Sequence, residues 1–263
     1  ATRLNLFWQL IQRPAGALVI ISMRSLLTRI IDPELLKEHL FELKLKDQIS
    51  LDQLKLFLVN NSYLRVDTVI APGEFAVKGD IIDIFPTSSK YPYRLDLFGN
   101  QLERLRTFDP LTQISKEKIE QGLLLPASEI ILNQAKIKLF QDQYKKYFGA
   151  SLNQDQLYET VSNGVLAQGI ENYLPLFYDQ LSNFISFLAP EIIIFTQGAK
   201  AAKANFFKEI EDYYQQRKQA LKRRASAYKP LPTNLLYLNE KQLADSLKPL
   251  KQIEFHHLQG ADY

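Results

Sequence analysis

YLRVDTVIAPGEFAVKGDIIDIFPTSSKYPYRLDLFGNQLERLRTFDPLTQIS, residues 63–115, is the most strongly patterned run of the chain. It reads as three strands with two tight connections. Phe75 to Phe85 is rich in Ile, Val and Phe, which suit a pleated, half-buried surface. The cluster from Pro86 to Pro92 is a turn, because Pro fixes φ and Ser offers local backbone bonds. Tyr93 to Phe98 alternates, Gly99-Asn100 is a hairpin dipeptide, and Gln101 to Phe108 returns with poorer alternation.

The alternation of the middle strand carries the functional argument, since side chains at i, i+2 and i+4 share a sheet face. Tyr93, Leu95 and Leu97 form the expected core side. Arg94, Asp96 and Phe98 form the other, placing a phenyl ring beside two charges on what should be the wet side. Arg and aromatic residues are enriched at binding hot spots. An ordinary polar outer face with one aromatic in a cross-strand contact fits the same pattern. On the preceding strand Lys78 falls in phase with Glu74 and Ala76.

The runs RVDTV (65–69), PGEFAVKGDIIDIFP (72–86) and YPYRLDLFGNQLERLRTFDPLTQ (91–113) closely resemble the second domain of the bacterial transcription-repair coupling factor family. They resemble more distantly the matching domain of the excision-repair protein UvrB. The match is long and collinear, hence more specific than a short motif. The resemblance implies an antiparallel module that docks UvrA, the damage-scanning ATPase of nucleotide excision repair. The family's basic residue before Gly-Asp falls on Lys78, its strand arginine on Arg94 and its following aromatic on Phe98. A further basic residue before Val-Asp falls on Arg65, and an acidic one on Asp96. The family commonly has Arg where this chain has Lys78; Lys keeps the charge and loses the planar fork.

Composition bounds the alternatives. The 263 residues hold one large domain or two modest ones, and 46% hydrophobic with 23% charged residues are globular values. A net charge of +3 does not by itself argue for nucleic acid. The absence of Cys removes disulfides, thiol nucleophiles and cysteine metal sites, and fits a reducing cytoplasm. No apolar run reaches the roughly 18 residues of a membrane span, and no secretory signal opens the chain. It begins at Ala1 in mid-pattern and is expected to be a piece of a longer protein.

Outward from the central stretch, residues 1–13 predict a helix with Leu4, Phe7, Trp8 and Ile11 on one face. Ala17 to Ile21 suits a strand buried on both faces of a parallel sheet, and Ser22 caps a helix from Met23 to Ile30. Phe41 to Lys46 alternates as an edge-like strand, and Ser50 caps a helix to about Asn60. Glu129 to Leu132 is strand-like, residues 133–148 form a helix with Ile137, Phe140, Tyr144 and Phe148 in register, and a second helix follows near Gln154 to Val161. The stretch from Gly169 to Tyr178 also looks like the coupling factor, and core packing is its expected role. Glu191 to Phe195 is a buried-strand candidate; residues 199–227 are the longest helix, with Phe206, Ile210, Tyr213 and Leu221 as its stripe. Strands at Asn234–Leu238 and Gln252–Phe255, separated by a helix near Glu240 to Leu247, are expected to rejoin the first domain's sheet.

These elements predict an α/β protein: an incomplete Rossmann or P-loop-like parallel-sheet domain with a helical subdomain, plus an inserted β-rich antiparallel α+β domain. The boundaries are 1–36 for the tail of the first domain, 37–122 for the docking domain, and 123–263 for the helical subdomain and return.

Catalytic chemistry is not legible. There is no Gly-x-x-x-x-Gly-Lys-Ser/Thr phosphate loop, and the segment from Gly198 to Lys203 lacks the second Gly and the hydroxyl. His256 and His257, being adjacent, would point to opposite faces of a strand and make a poor metal site. Asp80 and Asp83 near Asp96 read as fold-stabilising or solvated carboxylates. The segment is therefore expected to be a non-catalytic interaction module with no cofactor. The resemblance implies that ATP, magnesium and translocation on DNA belong to motor domains elsewhere in a parent that displaces stalled RNA polymerase, and that the location is cytoplasmic. The alternative is a UvrB-like DNA-binding repair module using Arg217, Lys218, Lys222, Arg223 and Arg224 at the end of the long helix. A solvated helix end accounts for the same charges.

Overall fold

A computed structural model describes residues 2–149, 155–224 and 227–255, and these divide into two units. The first takes in Ala1–Arg13, Pro33–Lys145 and Ser151–Phe177. Its strands are β1 (Phe41–Lys44), β2 (Leu64–Arg65), β3 (Glu74–Lys78), β4 (Ile81–Ile84), β5 (Tyr93–Phe98), β6 (Gln101–Phe108), β7 (Ser115–Lys118) and β8 (Gln121–Leu124). Six of them form one sheet in the order β2-β3-β4-β5-β6-β7, with β2 parallel to β3 and every other pairing antiparallel. β1 and β8 pair separately, antiparallel.

The expected single strand from Phe75 to Phe85 is two strands. Gly79 takes φ +63° and turns the chain between β3 and β4, a left-handed conformation that an L side chain resists. The β5–β6 hairpin forms at Gly99-Asn100 as the dipeptide predicts. The poor alternation of β6 has a cause: the register shifts between Asp96 and Leu97. Leu102 then opposes Leu97 while Leu105 opposes Leu95, so both leucines face the core although three residues apart.

The core lies on the Leu95 side of the sheet. Phe75, Ile82, Ile84, Leu95, Leu97, Leu102 and Leu105 pack with Leu54 and Leu58, and with Leu43 and Leu124 from the β1–β8 ribbon. Each fully buried side chain of this kind contributes about 1.5–3 kcal/mol of transfer free energy. Leu54 and Leu58 come from the helix Leu51–Asn60, capped by the Ser50 hydroxyl, which accepts the Gln53 N–H at 3.4 Å. The buried Tyr63 hydroxyl donates to the Leu125 carbonyl at 2.7 Å.

Elsewhere in this unit the helix Thr2–Ile11 buries Leu4, Phe7 and Leu10, with Trp8 and Ile11 half-buried at its flanks. Helix Gln134–Phe148 contributes Phe140 and Tyr144 to an aromatic cluster with Tyr158, Tyr173 and Phe177. The stretch after Gly169 is a 3-10 helix, Ile170–Phe177, whose Ile170, Tyr173, Leu174, Leu176 and Phe177 are buried, in line with its expected packing role. Glu129 to Leu132 forms no strand; Ile130 and Ile131 are buried from a bend.

The second unit takes in Pro14–Asp32, Lys146–Ala150 and Tyr178–Tyr263. Ser22 caps the helix Met23–Leu27, shorter than expected because Arg29–Ile30 leaves it to pair with Ser182–Asn183. Ile192–Phe195 pairs in parallel with Lys251–Glu254, and the long helix is Ala199–Lys222. Three strand expectations are corrected here. Ala17 to Ile21 forms no strand, and Leu18 and Ile20 are exposed; a strand needs a hydrogen-bonded partner strand, and no described residue pairs with this run. Ile192–Phe195 is a strand, but Ile192 and Ile194, which share one face, are exposed, so that face lacks the packed layer a doubly buried strand has. Residues 233–236 are a short helix rather than a strand; Pro232, with its preset φ, precedes it, and Tyr237 follows as an isolated bridge to Thr28. His256 and His257 lie outside the described residues.

Candidate functional site

The face of the sheet opposite the core is built in two rows, because cross-strand partners share a face. One row runs Ala76, Asp83, Arg94, Arg106, Lys118 across β3 to β7. The next runs Lys78, Ile81, Asp96, Arg104 across β3 to β6. Phe98, two residues beyond Asp96, completes this second region at the hairpin tip, opposite Gln101.

The first row is largely covered. Val66, Val69, Ala76, Phe85 and Phe108 make a small second core on this side. The loop after β6 lies against it: the Gln113 side-chain amide donates to the Val69 carbonyl at 3.0 Å. That loop is held by Asp109, which accepts the Leu111 and Thr112 N–H groups at 3.0 Å and pairs with Lys116 at 3.0 Å. The Thr112 amide, with help from Lys116, brings the Asp109 pKa down to about 2.

Arg94 sits beneath this loop. Its Nε and Nη2 donate to both oxygens of buried Asp83, at 2.7 and 2.9 Å. Its Nη1 donates to the Gln113 carbonyl at 3.1 Å, and its guanidinium lies 4.5 Å from the centroid of the Phe108 ring. The bidentate bond to Asp83 raises the guanidinium's pKa, so the cation is held charged. Asp83 thus has the fold-stabilising role expected of it.

The second row is open. Phe98 is 80% exposed, the most exposed aromatic side chain among the described residues. Ile81 is exposed, and Lys78 is exposed with no ion-pair partner among the described residues. Asp96 accepts Arg106 Nη2 at 2.7 Å and stands 4.0 Å from Arg104. The structure therefore brings Lys78, Asp96 and Phe98 together on one open surface and sets Arg94 one row inward, internally bonded. Arg65 is apart from them: it is exposed on edge strand β2, in register with Phe75 and out of phase with Lys78.

Sequence reasoning missed Arg104, Arg106, Phe108 and Gln113. Arg104 and Arg106 alternate in phase, but the register shift that aligns them with Asp96 and Arg94 is invisible in one strand's sequence. The basic residues Arg217, Lys218, Lys222, Arg223 and Arg224 belong to the second unit and are exposed at the end of its long helix. Two of them lie over rings, Arg217 at 4.8 Å from Tyr228 and Lys218 at 5.3 Å from Tyr214. Among the described residues no group of three or more His, Cys, Asp or Glu could hold a metal, and no helix is long and apolar enough to cross a membrane.

Residues 41–130, the segment that carries this face, match the family model of the UvrB interaction domain. The chain is 34% identical over 240 residues to the transcription-repair-coupling factor of Rickettsia conorii, covering 91% of this chain and 21% of that protein. It is 31% identical to the Escherichia coli transcription-repair-coupling factor over 98% of its own length and 22% of the relative's. The Haemophilus influenzae counterpart is 29% identical, over 97% of this chain and 22% of that protein. The chain thus spans about a fifth of the length of these relatives.

Proposed function

We propose that this chain, a homologue of a segment of the transcription-repair-coupling factors that carries a UvrB interaction domain, is a non-catalytic module that docks UvrA through the open face of its six-stranded sheet. The observation that carries the reading is Phe98: a phenyl ring almost fully exposed at a hairpin tip, beside exposed Ile81 and flanked by cations. Aromatic residues and Arg are enriched among the residues that carry binding energy at protein interfaces. Phe98 enters an apolar hollow of UvrA and Lys78 meets an acidic group there. Arg94 and Asp96 act one step back, by fixing the loop and the arginines around the anchor, and Arg65 adds a cation at the sheet edge. In the parent protein this docking links stalled RNA polymerase to excision repair, while ATP-driven movement on DNA belongs to other domains.

The test is calorimetric titration of this chain with purified UvrA, with Phe98→Ala and Lys78→Ala run alongside. Truncating an aromatic anchor costs on the order of 2 kcal/mol, so Phe98→Ala is expected to bind roughly 30-fold more weakly. Lys78→Ala is expected to lose less, because its contact is a single point charge. A folded Phe98→Ala chain that binds as tightly as the parent sequence would rule the face out.

A further inference from the structure

The row that holds Lys78 ends in Arg104, a residue that neither the family motif nor the alternation of β6 singles out. Three carboxylates on the strands share this side of the sheet and each has a bonded partner, while a fourth, Asp80, lies exposed in the turn between β3 and β4. Glu74 accepts the Ile70 and Ala71 N–H groups at 2.8 Å, Asp83 takes the fork of Arg94, and Asp96 takes Arg106. The cations exceed them. Arg106 is the arginine that Asp96 holds, at 2.7 Å and with only 26% of its side chain exposed. Arg104 reaches the same oxygen only at 4.0 Å and keeps 72% of its side chain in solvent. Asp96 therefore spends its charge on Arg106, and Arg104 stands outward as a cation with most of its donors free.

From this geometry we infer that Arg104 is a direct docking residue, the second of two cations that bracket the apolar Ile81–Phe98 surface. Resting on the docking reading above, the inference specifies the partner's chemistry: a protein surface with an apolar hollow between two acidic groups. The spacing follows from the sheet. Lys78 and Arg104 lie on β3 and β6, three strand intervals apart, so at about 4.8 Å per interval their backbones are about 14 Å apart. Arg106, beneath, is a positioning residue that keeps Asp96 from retracting Arg104 onto the sheet.

The experiment uses this chain and purified UvrA in calorimetric titration at two salt concentrations. Arg104→Ala, Arg104→Lys, Arg104→Glu and Phe98→Ala are compared, with Lys55→Glu as a charge reversal on the helix that covers the opposite face. Because Arg104 is solvent-exposed, its variants are expected to unfold at the same denaturant concentration as the parent sequence. Arg104→Ala is expected to weaken binding about tenfold and Arg104→Glu about a hundredfold, with Arg104→Lys in between the parent and Ala, and with smaller losses at high salt. Full affinity in Arg104→Glu with loss in Phe98→Ala overturns this inference and leaves the docking reading standing. Full affinity in both overturns the docking reading itself. An equal loss in Lys55→Glu reduces the effect to net charge and also overturns the role given to Arg104.

Discussion

Arg94 supports the proposed docking face from one row inward. Its fork is spent on Asp83, its third donor on Gln113 and its flat face on Phe108. Removing one member of a buried pair leaves an uncompensated charge, at a cost of about 3–5 kcal/mol. Arg94→Ala is therefore expected to destabilise the first unit by about that much, seen as a lower midpoint in urea unfolding. Asp83→Asn/Arg94→Gln, which removes both charges, should recover part of the loss. If Arg94→Ala unfolds at the parent's midpoint, the pair contributes nothing and Arg94 is free to act on a partner directly. The loss of docking in an Arg94 variant thus needs its stability beside it, whereas Phe98 and Arg104 read out binding alone.

At the scale of elements, the sheet's two faces were legible from residues 93–98, but the β1–β8 ribbon was not placed by any local signal. Gly122 on β8 shows how closely it packs: a Cβ there would lie 2.7 Å from the Tyr93 ring. Gly122→Ala is expected to displace that ring from the core edge and cost about 1–3 kcal/mol, the range for overpacking, measured by denaturant unfolding. An unchanged midpoint would mean the ring swings aside without loss. The helix Leu51–Asn60 and the Gly99-Asn100 hairpin were readable because capping and turn chemistry act within a few residues. The break at Gly79 is not legible in the pattern, because the apolar residues of β3 and β4 run on either side of it without a change in character.

Across the whole molecule, the proposed docking face belongs to one unit and the basic helix end to the other. Replacing Arg217, Lys218, Lys222, Arg223 and Arg224 together by Ala should leave UvrA affinity within about twofold, since rim charges off an interface contribute little. Any DNA affinity of the chain should fall in the same variant, and its salt dependence should flatten. A large loss of UvrA binding would move the docking surface toward the helix.

Capped helices, hairpin turns, an alternating strand with Phe98 and Arg94 on the same side, and a long collinear family likeness are all legible in the residues alone. Each depends on neighbours within a few positions or on collinear pattern. Which of those side chains are available depends on the folded arrangement. The register shift at Leu97 and the loop folded over Arg94 depend on residues that are distant in sequence. A charge is free or spent according to what the fold brings within hydrogen-bond reach, and here that ties half-buried Arg94 to buried Asp83 and leaves Lys78, Phe98 and Arg104 facing out.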